Sequence, residues 1–321
     1  MLRLLVRRAI EGVVVVAATS FVVFLAIYML GNPIQVLASP DSPPEVIQRV
    51  TASLGLDRPW HEQYWRFVVN ALHGDLGVSF VHAQPSLALI FGRLPATLEL
   101  VVFAMIVAVV VGLPLGLVAG YWPRHWSSQA ISSLSVLGIS VPAFWVGLML
   151  IIFFSLEWRL LPTGGRGATV QVAGIETSLF TLDGLRHLVL PGFTLATLPL
   201  AVIVRLVRTG VREQRRADYV RFGRAMGLSP GLLLGRYILR NVMVPVVTVM
   251  GLLFGTLVAF AVVTETVFAW PGSGKLIIDS IKQSDRPVVI AYLLFVVVMF
   301  MVINTVVDLL TALVDPRVRL Q

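Results

Sequence analysis

Six long, predominantly apolar stretches of this chain carry no charged side chain: 12–35, 100–122, 126–156, 188–204, 241–264 and 287–307. About twenty apolar residues in a helix cross the ~30 Å hydrocarbon core of a bilayer. Inside lipid every backbone N–H and C=O must be satisfied within the protein, so runs of this length are read as helices. The expected fold is an all-α integral membrane protein with six transmembrane helices, the run 188–204 being the shortest. Composition agrees, with 57% hydrophobic and 13% charged residues and a mean hydropathy of +0.88, far from the balance of a soluble domain.

The first run follows Arg3, Arg7 and Arg8, the pattern of a secretory signal, but it is too long for one and five more runs follow. Six crossings put both termini on one side of the membrane. In that arrangement fifteen of the 25 basic residues fall on the side of the termini, and twelve of the 17 acidic residues fall on the other. The bias sets N-in, C-in and explains the net charge of +8 as topogenic rather than as a nucleic-acid footprint. No ionisable residue lies in the middle of a run, Glu99, Arg205, Glu265 and Asp308 lying at the edges. Ion-coupled carriers and intramembrane enzymes need such groups at depth, so the energy for any transport comes from elsewhere.

Between the first two runs, residues 37–93 mix Ser39-Pro40 and Ser42-Pro43-Pro44 with amphipathic pieces around Trp60, Tyr64, Trp65 and Phe67. These predict an extracytoplasmic cap of short helices with aromatics at headgroup depth. His61, His73 and His82 lack metal-ligand spacing and are read as surface residues; no metal or cofactor is expected. The absence of cysteine removes disulfides, thiolate sites and cysteine nucleophiles. Gly112, Gly116 and Gly120 form a close-packing face for another helix, in this chain or a partner. Pro114, Pro142, Pro191, Pro199 and Pro245 predict kinks in the spans. Ala269–Lys275 approximates a phosphate-binding loop, but Leu276 stands where Ser or Thr would hold magnesium, so it is not read as a nucleotide site.

The polar segment 218–245, DYVRFGRAMGLSPGLLLGRYILRNVMVP, stands apart. Asp218 predicts a helix N-cap; Tyr219, Phe222 and Met226 recur at helical spacing; Gly227 suits a left-handed helix stop. Ser229 and Pro230 then predict the cap and first turn of a second helix. The result is a helix–turn–helix elbow whose arginines would suit phosphates. The second helix runs on into a span, which no DNA-reading module does. From the residues alone the elbow is either an interfacial basic loop or a docking element for a cytoplasmic partner.

Ala225, Gly227, Leu228-Ser229-Pro230 and Arg240-Asn241 before Pro245 resemble the EAA loop of bacterial ABC importer permeases, in the form of the dipeptide/oligopeptide B-type branch. Arg221 and Gly223 stand where the general motif has Glu and Ala. The resemblance extends to Gly74-Asp75-Leu76-Gly77, Leu161-Pro162, Gly164-Gly165, the run from Glu265 to Lys275 and Val314-Asp315-Pro316-Arg317. It implies a type I ABC importer permease fold, with a first helix and cap over 1–95 and a five-span permease domain over 96–321. It also implies a coupling loop at about 211–240, in which Asp218, Tyr219, Arg221, Phe222, Gly223, Arg224, Ala225, Met226 and Gly227 engage an ATPase. The implied protein is non-catalytic and sits as a multi-pass subunit in a bacterial cell membrane. Its implied partners are a second permease subunit in a heterodimer, two cytoplasmic ATPase subunits or domains, an extracytoplasmic peptide-binding protein and membrane lipid, without nucleic acid. Peptides are the expected cargo, with nickel or glutathione importers, or a non-ABC channel or scaffold subunit, as alternatives.

Overall fold

The computed structural model describes residues 2–29, 43–53 and 57–314. Eleven helices are described in chain order: α1 (Leu2–Met29), α2 (Pro44–Ser53), α3 (Trp60–Leu72), α4 (Ser86–Tyr121), α5 (Trp126–Ser140) and α6 (Ala143–Glu157). After a two-stranded antiparallel hairpin, β1 (Val170–Val172) and β2 (Ile175–Thr177), come α7 (Leu182–Gln214), α8 (Asp218–Ala225), α9 (Pro230–Val267), α10 (Ser273–Lys282) and α11 (Arg286–Val314). The chain divides into two compact units, Met1–Leu94 with Gly272–Val302, and Pro95–Pro271 with Ile303–Gln321.

Among the described residues four helices are long and apolar enough to cross a membrane singly: α4, α7, α9 and Arg286–Val307 within α11. The apolar part of α1, Ile10–Ala26, is shorter, and the end of the expected first span, with Asn32-Pro33, lies outside the described residues. The run 126–156, expected as one span, is broken: α5 and α6 meet at 107°. Pro142 holds φ at −59° and pushes Val141 into an extended conformation (φ −88°, ψ 130°), which a residue before proline favours over the helical one. The last turns of α6, Ile151–Glu157, are π-helical. The run 188–204 is instead the middle of a 33-residue helix, because Thr181 caps α7 well before it, its hydroxyl accepting from the Gly184 N–H at 3.0 Å. The helix carries the arginines of its last turns beyond the apolar stretch.

In the second unit α4 lies on α7 through the glycine stripe, so the partner of that stripe is internal. A Cβ built on Gly116 would stand 2.7 Å from Val207 Cβ and 3.0 Å from the Val204 carbonyl. At Gly120 it would meet Val211 Cβ at 2.7 Å and the Arg208 carbonyl at 2.8 Å. Only a hydrogen at these positions lets the two backbones approach so closely.

The first unit is held by aromatic and polar contacts. Phe21 and Phe24 of α1 pack on Trp60, Tyr64 and Phe67 of α3, with centroids 5.3–6.5 Å apart, and the hydroxyls of Ser20 and Tyr64 lie 3.0 Å apart. Short helices thus form in the cap region as expected; Leu54-Gly55-Leu56, which with Asp57 also resembles the N-terminal region of the peptide-permease family, lie outside the described residues. The loop after α3 is pinned by the buried Asp285 carboxylate, which accepts from the Ser79 hydroxyl at 2.5 Å and the Phe80 N–H at 3.0 Å.

Replacing Gly116 with valine is expected to lower the stability of the purified chain by about 1–3 kcal/mol through overpacking. Gly92→Ala, where an added Cβ meets nothing within 4 Å, is the control. Thermal unfolding in detergent measures both: only the first should melt earlier.

Candidate functional site

The polar segment forms the expected elbow, and its local chemistry explains each bend. Helix α8 begins after Ala217, which is extended (φ −65°, ψ 148°) and offers no side-chain cap. Asp218 is therefore not the N-cap but the first helical residue, fully exposed, where its charge suits the positive end of the helix. Its carboxylate lies 3.8 Å from the guanidinium of Arg221. The helix ends in a Schellman turn: the Leu228 N–H reaches the Gly223 carbonyl at 3.0 Å and the Gly227 N–H reaches the Arg224 carbonyl at 3.0 Å. Gly227 takes φ +79°, the left-handed region where a side chain is strained. Ser229 then caps α9, accepting from the Leu232 N–H at 3.4 Å, with Pro230 at the first helical position.

The elbow has two faces. On the inner one, Val220 is completely buried and Gly223 is buried against Leu233, whose Cδ2 would stand 2.7 Å from an added Cβ. Val220 belongs to a cluster with Ala108 of α4, Ile203, Val207 and Val211 of α7, and Ile238, Val242 and Val246 of α9. One valine of a surface helix is thus embedded among three spans. On the outer face Phe222 and Met226 are each 67% exposed, with Arg221, Arg224 and Ala225 beside them in solvent. Tyr219 shares their stripe but is tied down: its hydroxyl donates to Gln214 Oε1 at 2.6 Å and accepts from Asn241 Nδ2 at 3.1 Å. That clamp between Gln214 at the end of α7 and Asn241 within α9 has no local signature in the sequence.

Two polar layers bracket the spans of this unit. At the elbow's end, the Arg215 guanidinium lies 4.6 Å from the centre of the Tyr121 ring and donates to the Tyr121 carbonyl. At the other end Glu99, 6% exposed, accepts from Arg166 (Nη2 2.7 Å, Nε 3.0 Å), from the Ser178 N–H at 2.7 Å and from the Ser178 hydroxyl. Close by in sequence, the Thr97 hydroxyl donates to buried Glu265 at 2.7 Å, and the Trp270 indole N–H to the Ala96 carbonyl at 2.9 Å. Glu99 and Tyr121 stand at opposite ends of a helical stretch roughly 33 Å long at 1.5 Å per residue, the thickness of a bilayer core. Glu99 and Glu265, placed by sequence at span edges, are thus buried and hydrogen-bonded there. In the phosphate-loop lookalike, Lys275 pairs with Asp279 one turn on and Leu276 is buried in α10.

Comparison with known proteins gives the same picture. Residues 112–320 match the family described as binding-protein-dependent transport system inner membrane component, and residues 1–101 match the N-terminal part described for such membrane components. The glutathione transport system permease proteins GsiC of Escherichia coli strain K12 and of Shigella flexneri serotype 5b are each 37% identical over 320 residues, covering 99% of both chains. A chain of the MetNI methionine ABC transporter, solved in inward-facing conformations, shares the fold with a TM-score of 0.54 at 17% identity, covering 71% of this chain and 97% of that one.

Arg166→Met leaves the Glu99 carboxylate buried without its cation and is expected to cost about 3–5 kcal/mol, with most of the loss recovered when Glu99→Gln is added. Chemical unfolding of the two variants against the parent chain measures the coupling.

Proposed function

The chain belongs to the family of binding-protein-dependent transport system inner membrane components, the permease subunits of ABC importers, and on that premise we propose that it carries short peptides inward and is driven through the α8 elbow. The relatives named for glutathione transport favour a short-peptide cargo, glutathione itself being a tripeptide, over a nickel ion. A substrate-binding protein outside delivers the peptide. Two cytoplasmic ATPase subunits or domains hydrolyse ATP, and a related second permease completes a heterodimer around the path. Six crossings, N-in and C-in, put the elbow in the cytoplasm. The first helix and cap over 1–95 stand before the permease domain over 96–321.

The single observation that carries this reading is the division of labour on α8. Exposed Phe222 and Met226, rimmed by Arg221 and Arg224, have the apolar centre and charged edge of a docking surface. Directly behind them Val220 is seated among three spans and Tyr219 joins the end of α7 to α9. A partner that grips the outer face and moves must move the spans as well, exchanging inward-open for outward-open access. The Schellman turn at Gly227 keeps the lever stiff.

Phe222→Asp changes an exposed side chain, so the melting temperature of the chain should hold while the ATPases no longer co-purify and peptide-stimulated ATP hydrolysis falls by tenfold or more, as loss of an interface anchor worth about 2 kcal/mol implies. Gly227→Val strains the turn by about 1–3 kcal/mol and should leave an assembled complex that hydrolyses ATP without matching uptake. Proteoliposomes with labelled di- and tripeptides measure both. Wild-type coupling in the assembled Gly227→Val complex would overturn the role given to the turn.

A further inference from the structure

The first unit contains a half-open cavity of about 370 Å³, and its chemistry is that of an amphiphile site. Its floor is apolar, built from Phe24 of α1, Phe67 of α3 and Ile290 of α11; its rim carries Arg66, Asn70 and Asp75. Arg66 makes no hydrogen bond or ion pair among the described residues. Asp75 spends Oδ1 on the Gly77 N–H at 2.9 Å, leaving Oδ2 free to take a second donor. A guanidinium and a carboxylate that share a rim without pairing complement a ligand carrying both charges at neighbouring atoms.

The surroundings of the cavity distinguish the ligands of that description. Phe24 lies on α1, an apolar helix along which Val13, Val14, Val15 and Val22 are 52–69% exposed, as lipid-facing side chains are. Phe21 of α1 packs on Trp60 and Tyr64 of α3, and the exposed Trp60 and Trp65 of that amphipathic helix are side chains that settle at the headgroup level. The floor is therefore built in part on a lipid-facing helix, and the rim on α3 and the loop after it. We propose that this cavity binds a zwitterionic phospholipid of the phosphatidylethanolamine type, its phosphate held by the Arg66 guanidinium and its ammonium by the Asp75 carboxylate. Guanidinium matches phosphate with two parallel N–H···O bonds, and the volume falls in the usual range of small-molecule sites.

The test uses the full-length chain in detergent, with bound species counted by native mass spectrometry during titration with dihexanoyl phosphatidylethanolamine, dihexanoyl phosphatidylglycerol, phosphoethanolamine or a dipeptide. The intact chain should take up one phosphatidylethanolamine in preference to phosphatidylglycerol. Arg66→Ala should weaken both lipids about tenfold, the loss expected for a charge-assisted phosphate contact. Asp75→Asn, which keeps the acceptor for the Gly77 N–H, should remove the preference for ethanolamine and leave phosphatidylglycerol unchanged. That ratio, read on protein with the parental melting temperature, decides the matter even where Arg66→Ala accumulates poorly. Equal binding of the two lipids by the parent chain overturns the proposal. So does an undiminished preference in Asp75→Asn, or phosphoethanolamine or the dipeptide binding as tightly as the lipid.

Discussion

Everything in the second unit depends on how closely α4 approaches α7. The glycines of α4 let the carbonyls and valines of α7 sit where side chains would otherwise stand. That approach creates the seam between helices into which Val220 fits. A surface helix of eight residues has no intrinsic stability in water, since helix nucleation is costly and propagation over two turns returns little. The elbow helix α8 exists because Val220 is buried, because Tyr219 is bonded on both sides, and because the Schellman turn closes its end. In the proposed coupling, the burial of Val220 and the bonds of Tyr219 make it a lever, since neither contact can move without the spans it joins.

The two ends of the spans are built differently. At the elbow's end an apolar cluster and an arginine over an aromatic ring are joined by hydrogen bonds of Tyr219 and Arg215, with no buried carboxylate–guanidinium pair among the described residues. At the far end Glu99 gathers Arg166, Ser178 and Thr177 into one buried network, and the neighbouring Glu265 and Trp270 are held by Thr97 and Ala96. Charged hydrogen bonds in a site of low dielectric have strict geometry and lose much when broken. That end resists deformation, so in the proposed coupling motion entering at the elbow is expected as rotation about the far layer.

Much of the fold is legible in the sequence for reasons that can be named. Long uncharged runs have one structural solution in lipid, so helices α4, α7, α9 and α11 follow from composition alone. Gly227, Ser229 and Pro230 act locally, through backbone freedom, a side-chain cap and a fixed φ, and each does what its residue type dictates. Asp218 reads as the cap in sequence because an aspartate at helix position one and one at the cap share the same context; only the backbone of Ala217 separates them. The run 126–156 hides the size of its break because hydropathy does not register a proline: Pro142 stands at a 107° turn between two helices, whereas Pro114, Pro191, Pro199 and Pro245 stay inside continuous ones. The Tyr219 clamp and the Glu99–Arg166 pair join residues far apart in the chain, and a single sequence holds no trace of such pairings.

The chain has no cysteine, so a thiol introduced by Met226→Cys would be the only one available to a membrane-impermeant maleimide. With the α8 elbow in the cytoplasm and gripped by the ATPase subunits, that thiol reacts in inside-out vesicles, is shielded when those subunits are bound, and does not react in right-side-out vesicles. Labelling in right-side-out vesicles, or equal labelling with and without the ATPases, would contradict the elbow's role as the point where force enters the spans.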